Sequence, residues 1–322
     1  MKDTVYLRVH TPREGEGYAD FCVYLPTGRG RHVEYRFAYM HHPEKPALAY
    51  NEGPNDPANS HFYRIREAYV GTLTGETFTP EFRALQYGEI GLAFIEEGAG
   101  DYVGGFHGDE CAFHLSLSVD GHRLSLSEPS FTEGHEIGFF EFSYINRCNT
   151  PAERLCIHEQ CYRMCGDTVT LSQCVEWVAD ARTLTSAFMP MLTVQRLDPA
   201  PPHRRLTDTV ELFDRVGGAL VASLDTSPYG TVPPPDLPSH VLGDTPATAV
   251  RVSGRESGFC AECGILPAEG SAIDTRVRAS LWLRYGDGLD SKVYFDVGRG
   301  TAPTKGTIWQ GEVYYRLTMQ GR

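Results

Sequence analysis

The sequence lacks any apolar run approaching the roughly twenty residues that a membrane-crossing helix requires, which excludes a helical membrane protein. It is short of basic residues: 29 Lys and Arg stand against 42 Asp and Glu, a formal net charge of -13. That balance argues against nucleic acid, whose phosphates need a basic stripe, and against an anionic membrane surface. An acidic polysaccharide stays open as a partner, because a local Arg/His pocket can hold a uronate within an acidic protein. There is no sustained helical period, no internal repeat of fixed length, and no G-x-S-x-G, H-E-x-x-H or phosphate-loop motif. The N-terminus, Met1 to Val9, has no apolar leader core and reads as a strand, so the expected compartment is the cytoplasm unless a leader was removed. Nine cysteines are present, five of them between Cys148 and Cys174. Free thiols are the expectation, with Cys156–Cys165 as the disulfide to consider if the protein is exported.

What the chain has in plenty is short alternating segments and turn residues. Phe21 to Leu25 and Val33 to Tyr39 flank the turn Thr27-Gly28-Arg29-Gly30, which predicts a hairpin. Cys111 to Val119 alternates and ends in Asp120-Gly121, a second hairpin signal, and Gly286-Asp287-Gly288 marks another. Residues 43–60 are rich in Pro, Asn and Gly and read as a long loop. Proline-rich connectors lie near 198–205 and 227–238, and the segment between them, Thr209 to Leu224, is the one place where a short helix is conceivable. Because the strand pattern continues past both connectors, the expectation is one all-β domain over 1–322, a large antiparallel β-sandwich of jelly-roll or supersandwich type with little helix. A subdivision near 198–240 is the alternative.

Chemistry-bearing side chains concentrate between Gly104 and Met164. On a strand from His158 to Met164, period-two alternation puts His158, Gln160 and Tyr162 on one face. Such a face suits a groove that binds sugar hydroxyls and moves protons; it is equally the polar face of a wet sheet. His158 and Tyr162 stand roughly 13 Å apart along a strand and cannot bond to each other directly. Gly104-Gly105-Phe106-His107-Gly108-Asp109-Glu110 holds a His and two carboxylates on a glycine-shaped loop beside a strand, typical of a site, although a tight turn with solvated charges has the same sequence. His135 lies in the turn between the two strand segments of this stretch. A divalent metal on this His107-x-Asp109-Glu110 segment would need a further well-placed partner such as His135 or His158; the favoured expectation is no metal and no cofactor. Arg64 and Arg66 share a strand face and form either a solvated edge, the commoner case for Arg, or a carboxylate clamp. Cys260-Ala261-Glu262-Cys263 has a metal-knuckle spacing without a second pair and reads as two ordinary cysteines.

A long antiparallel sandwich with His158-x-Gln160-x-Tyr162 and His107 resembles the carbohydrate-active β-sandwiches, namely the jelly-roll polysaccharide lyases and the galactose-mutarotase-like supersandwich. The lyase resemblance implies β-elimination on a uronic-acid-containing glycan. His107 or His158 would be the base, Tyr162 the base or acid, and Arg64, Arg66 or Gln160 the group that neutralises the uronate. Asp109, Glu110 and His135 would complete the substrate site. The mutarotase resemblance implies a carboxylate base, Glu110 or Glu141, with His107 as acid. The lyase is the favoured reading; a non-catalytic carbohydrate-binding or structural β-protein, with Trp282, Trp309 or tyrosines as the sugar platform, is the alternative, and the mutarotase-like epimerase is the second alternative.

Overall fold

In the computed structural model, which describes residues 4–42, 60–86, 91–234, 242–273, 277–286 and 288–320, the regular elements are all strands. In chain order they are β1 (Val5–Val9), β2 (Phe21–Gly28), β3 (Arg31–His42), β4 (Ser60–Thr74), β5 (Thr77–Leu85), β6 (Ala93–Glu96), β7 (Val103–Gly104), β8 (Glu110–Val119), β9 (His122–Leu124), β10 (Ser130–Gly134) and β11 (Ile137–Arg147). They continue as β12 (Thr150–Cys165), β13 (Thr168–Trp177), β14 (Leu184–Gln195), β15 (Thr209–Phe213), β16 (Leu220–Asp225), β17 (Leu242–Pro246), β18 (Ala249–Ser253), β19 (Phe259–Pro267), β20 (Arg278–Leu283), β21 (Asp290–Asp296) and β22 (Ile308–Met319).

The pairings form two long runs. One is β9–β8–β11–β12–β13–β22–β19–β18–β15–β16. The other is β10–β1–β2–β3–β4–β5–β14–β21–β20–β17, with β6 and β7 added beside β14. All are antiparallel except one parallel bridge, His61 to Cys111, which joins the runs through β4 and β8. Strand alternation drives the two runs together: β11 buries Ile137, Phe139, Glu141, Ser143 and Ile145, and β13 buries Val169, Leu171, Gln173, Val175 and Trp177. The inner faces interlock through aromatic rings, with Phe139 of β11 5.1 Å from Phe21, 5.9 Å from Phe37 and 5.2 Å from Tyr63 of the opposing run. The expected all-β sandwich is the fold observed.

Two local expectations are corrected. Thr209–Leu224 carries no helix; it forms the β15–β16 hairpin, because Val210 and Leu212 point inward at a strand period and Gly217 turns the chain with φ 67°. Cys156 and Cys165 both lie on β12, nine residues or about 30 Å apart, too far for a disulfide, and all nine cysteines are free. The 43–60 loop lies outside the described residues except for Ser60, which begins β4.

Candidate functional site

β11, β12 and β13 lie side by side and send polar residues into the space between the sheets. Across the β11–β12 ladder Glu141 stands opposite Gln160 and Ser143 opposite His158; across β12–β13 Gln160 stands opposite Gln173. Arg64 enters from β4 and Glu110 from β8. Arg64, Glu110, Glu141, Ser143, His158 and Gln160 are all 0% exposed. Full burial of this many ionisable groups demands that they satisfy one another.

Arg64 forks between the two carboxylates. Its Nη2 donates to Glu110 Oε2, and its Nη1 donates to Glu141 Oε1 at 2.9 Å. Glu141 Oε2 accepts the backbone N–H of Tyr63 at 2.6 Å, and its Oε1 accepts Gln160 Nε2 at 2.9 Å. Glu110 Oε1 accepts the Ser143 hydroxyl at 2.7 Å and faces His158 Nδ1 at 3.0 Å. His158 Nε2 lies 3.0 Å from Gln173 Oε1, so one ring nitrogen is bonded to Glu110 and the other to Gln173. The Tyr162 hydroxyl donates to Gln160 Oε1 at 3.4 Å. His158 and Tyr162 thus join through Glu110, Arg64, Glu141 and Gln160, and not directly.

The two carboxylates differ in character. Burial drives Glu141 up to about 7, and repulsion from Glu110 adds to it against the pull of Arg64. Burial also disfavours ionised Glu110, but Arg64, His158 and Ser143 outweigh it and hold that group below the usual carboxylate range. Burial raises Tyr162, which stays a protonated phenol. Buried carboxylates shifted in opposite directions occur at acid–base sites and in structural ion-pair networks alike.

Gly91, itself buried, lies against the cluster. Gly91 adopts φ 138°, and a Cβ there would lie 3.5 Å from Arg64 Nε and 3.7 Å from Gln160 Oε1. Among the described residues that Arg64 Nε has no hydrogen-bond partner, and neither has Gln173 Nε2. Glycine at 91 is called for by its backbone angle, and the buried Arg64 Nε beside it is a donor without a described acceptor.

Arg64, Glu110, His158, Gln160 and Tyr162, all named from the sequence, meet in this cluster, and Arg64 is the carboxylate clamp, not the favoured solvated edge. Arg66 is exposed, because a bulge pairs Arg36 with Glu67 and Phe37 with Ile65 and leaves Arg66 outside the ladder; it lines a separate charged groove with Arg36 and Glu67. Asp109 is buried at φ 55°, accepting the Asn149 N–H at 3.2 Å. His135 is on the surface, its backbone N–H held by Asp120. His107 lies apart from the cluster's hydrogen bonds, half-buried and paired with Asp101 at 3.1 Å. Ser143 and Gln173 were not singled out from the sequence. The signal available was a Glu and a Ser on the apolar face of β11, and a Gln on that of β13. Among the described residues no three His, Cys, Asp or Glu groups are arranged to hold a metal ion.

Neither a protein-family model nor a curated relative matches the sequence. Solved structures match at low similarity over most of the chain. Galactose 1-epimerase from Lactobacillus acidophilus shares 7% identity with a TM-score of 0.39 over 100% of both chains. A protein assigned as an aldose 1-epimerase from Klebsiella pneumoniae shares 10% with a TM-score of 0.38, covering 99% of this chain and 92% of its own. An alpha-galactosidase from Geobacillus stearothermophilus shares 10% with a TM-score of 0.40, covering 92% of this chain and 40% of its own. These neighbours are carbohydrate-active folds; similarity this low decides nothing about activity, which must be argued from the site itself.

Proposed function

We propose that the chain is a carbohydrate-active enzyme that moves protons on a free sugar, in the manner of a 1-epimerase. What supports this is the buried convergence of Glu141, Arg64, Glu110 and His158, in which burial raises the Glu141 carboxyl toward neutrality. In the reaction, ionised Glu141 takes the proton of the anomeric hydroxyl. The C1–O5 bond breaks as His158, releasing Gln173 at Nε2, gives a proton from that nitrogen to the ring oxygen, leaving an open-chain aldehyde. Rotation about C1–C2 and the reverse transfers close the ring as the other anomer, with both protons returned. Glu110 fixes His158 through Nδ1, and Arg64 Nε and Gln160 are the groups available to sugar hydroxyls.

The lyase reading uses the same residues, with Tyr162 as the phenol that protonates a leaving oxygen. It is the weaker reading because Arg64 already answers two carboxylates, so a uronate would have to compete with Glu110 and Glu141 for its charge. The test is the anomerisation of freshly dissolved aldohexoses followed by polarimetry, run beside ultraviolet absorbance on uronic-acid polysaccharides. Acceleration of anomerisation that His158→Asn lowers about 100-fold or more supports the epimerase. Absorbance of an unsaturated uronate, with no effect on anomers, replaces it with the lyase.

A further inference from the structure

Beside the main core lies a second, smaller apolar cluster built on Ala93, Phe188 and Met191, with Tyr102, Trp282 and Tyr294 packed against it. It lines a cavity of about 250 Å³ that opens to solvent, and His107 stands in its wall. The glycine loop puts His107 there. Gly104 pairs with Ala93 at φ 74°, and a Cβ on it would fall 2.6 Å from the Leu92 carbonyl oxygen, so only glycine allows β7 to seat on β6.

The rings touch one another at ordinary packing distances and also line the cavity. Tyr102 and Phe188 stack at 5.9 Å, Tyr294 lies 4.9 Å from Phe188, and Trp282 meets Tyr294 edge-on at 4.8 Å. Tyr102, Trp282 and Tyr294 each keep part of their surface in solvent, while the other two tryptophans, Trp177 and Trp309, are buried. His107 lines the cavity and pairs with Asp101 at 3.1 Å, and the Tyr294 hydroxyl accepts from Lys292 Nζ at 2.9 Å; Asp101 and Lys292 themselves lie outside its lining. An apolar ring surface edged by fixed donors and acceptors matches a pyranose, which has a C–H face and an equator of hydroxyls. The volume is below the roughly 300–1,000 Å³ of pockets that enclose drug-sized ligands, so it suits one ring and not a length of polymer.

We infer that this cavity is a saccharide subsite that seats one pyranose ring against Trp282 and Tyr294, with His107–Asp101 holding its hydroxyls. The inference rests on the carbohydrate reading and not on the proton chemistry of the buried cluster, from which it is separated by the short segment running from Gly91 to Ala93. Methyl glucopyranosides and methyl galactopyranosides, both anomers, are the probes, because a methyl glycoside cannot open its ring and so reports binding without turnover. Saturation-transfer NMR on the full chain is expected to show saturable binding of at least one of them. Trp282→Ala should weaken it about tenfold or more, and His107→Ala, at a partly exposed position, should weaken it several-fold with unfolding unchanged. Glu141→Gln should leave it intact.

No saturable binding by the wild type overturns the inference, as does binding that persists in both Trp282→Ala and His107→Ala. If Trp282→Ala does not fold, His107→Ala decides alone. Anomerisation with no Trp282-dependent binding leaves the proposed function standing and removes the subsite; binding without anomerisation does the reverse.

Discussion

Arg64 is surrounded by charge it must neutralise and is wholly out of water. Removing it leaves Glu110 and Glu141 facing each other without a cation. Arg64→Met is expected to lower stability by about 3–5 kcal/mol in urea unfolding. The triple variant with Glu110→Gln and Glu141→Gln should recover much of that loss, because the uncompensated charges go too. A single variant as stable as wild type would mean the clamp is not buried as described. Glu141 makes a second prediction through pH. Its folded value lies above its ordinary value of 4.5, at about 7, so the folded state holds a proton that the unfolded chain releases. The stabilising contribution is complete below about pH 4.5 and is lost as pH rises through about 7. Glu110, shifted downward, acts only at lower pH and in the opposite sense. Relative to Glu141→Gln, the wild type should therefore lose stability between pH 4.5 and 7. Parallel stability curves for the two proteins would contradict the assignment.

At the scale of the strand, two bulges decide which side chains enter the cluster. In β8 the register slips between the pairs Phe142–His114 and Ser143–Ala112, so Phe113 is extra and the inward parity changes from Leu117 and Val119 to Glu110 and Ala112. In β4 the bulge leaves Arg66 outside the ladder and exposed, while Arg64 before it is buried. Regular alternation therefore reads β12 correctly, where His158, Gln160 and Tyr162 do share one buried face, and misreads the two strands with an extra residue. Nothing in the composition of Arg64-Ile65-Arg66 or Ala112-Phe113-His114 marks a bulge; it arises from matching twisted strands across the sheet. The Gly104 turn, by contrast, is written in the sequence. Gly104→Ala combines a left-handed backbone with a clash against Leu92 and is expected to cost about 1–3 kcal/mol in chemical unfolding. An unchanged midpoint would show that β7 can lift off β6 freely.

Across the whole molecule, the fold class was legible because short alternating segments and turn residues run from Val5 to Met319 with no competing helical period. Which strands neighbour one another was not, since β13 pairs with β22 and β4 with β8 across long stretches of chain. The site was half legible for the same reason. Residues on one strand could be grouped by parity, whereas meeting Arg64 with Glu141, 77 positions on, requires the sandwich itself. His107 shows the limit from the other side: it sits on the loop that leads into Glu110, yet it faces the aromatic cavity and not the buried cluster.

The central claim is that Glu141 is the base of a sugar anomerisation, and its pH dependence tests that most directly. The rate of anomer interconversion should rise as pH increases through about 7 and level off above it, and Glu141→Gln should lose both the rise and about 100-fold of the rate. A wild-type rate no faster than buffer, or a Glu141→Gln rate equal to wild type, would contradict the account.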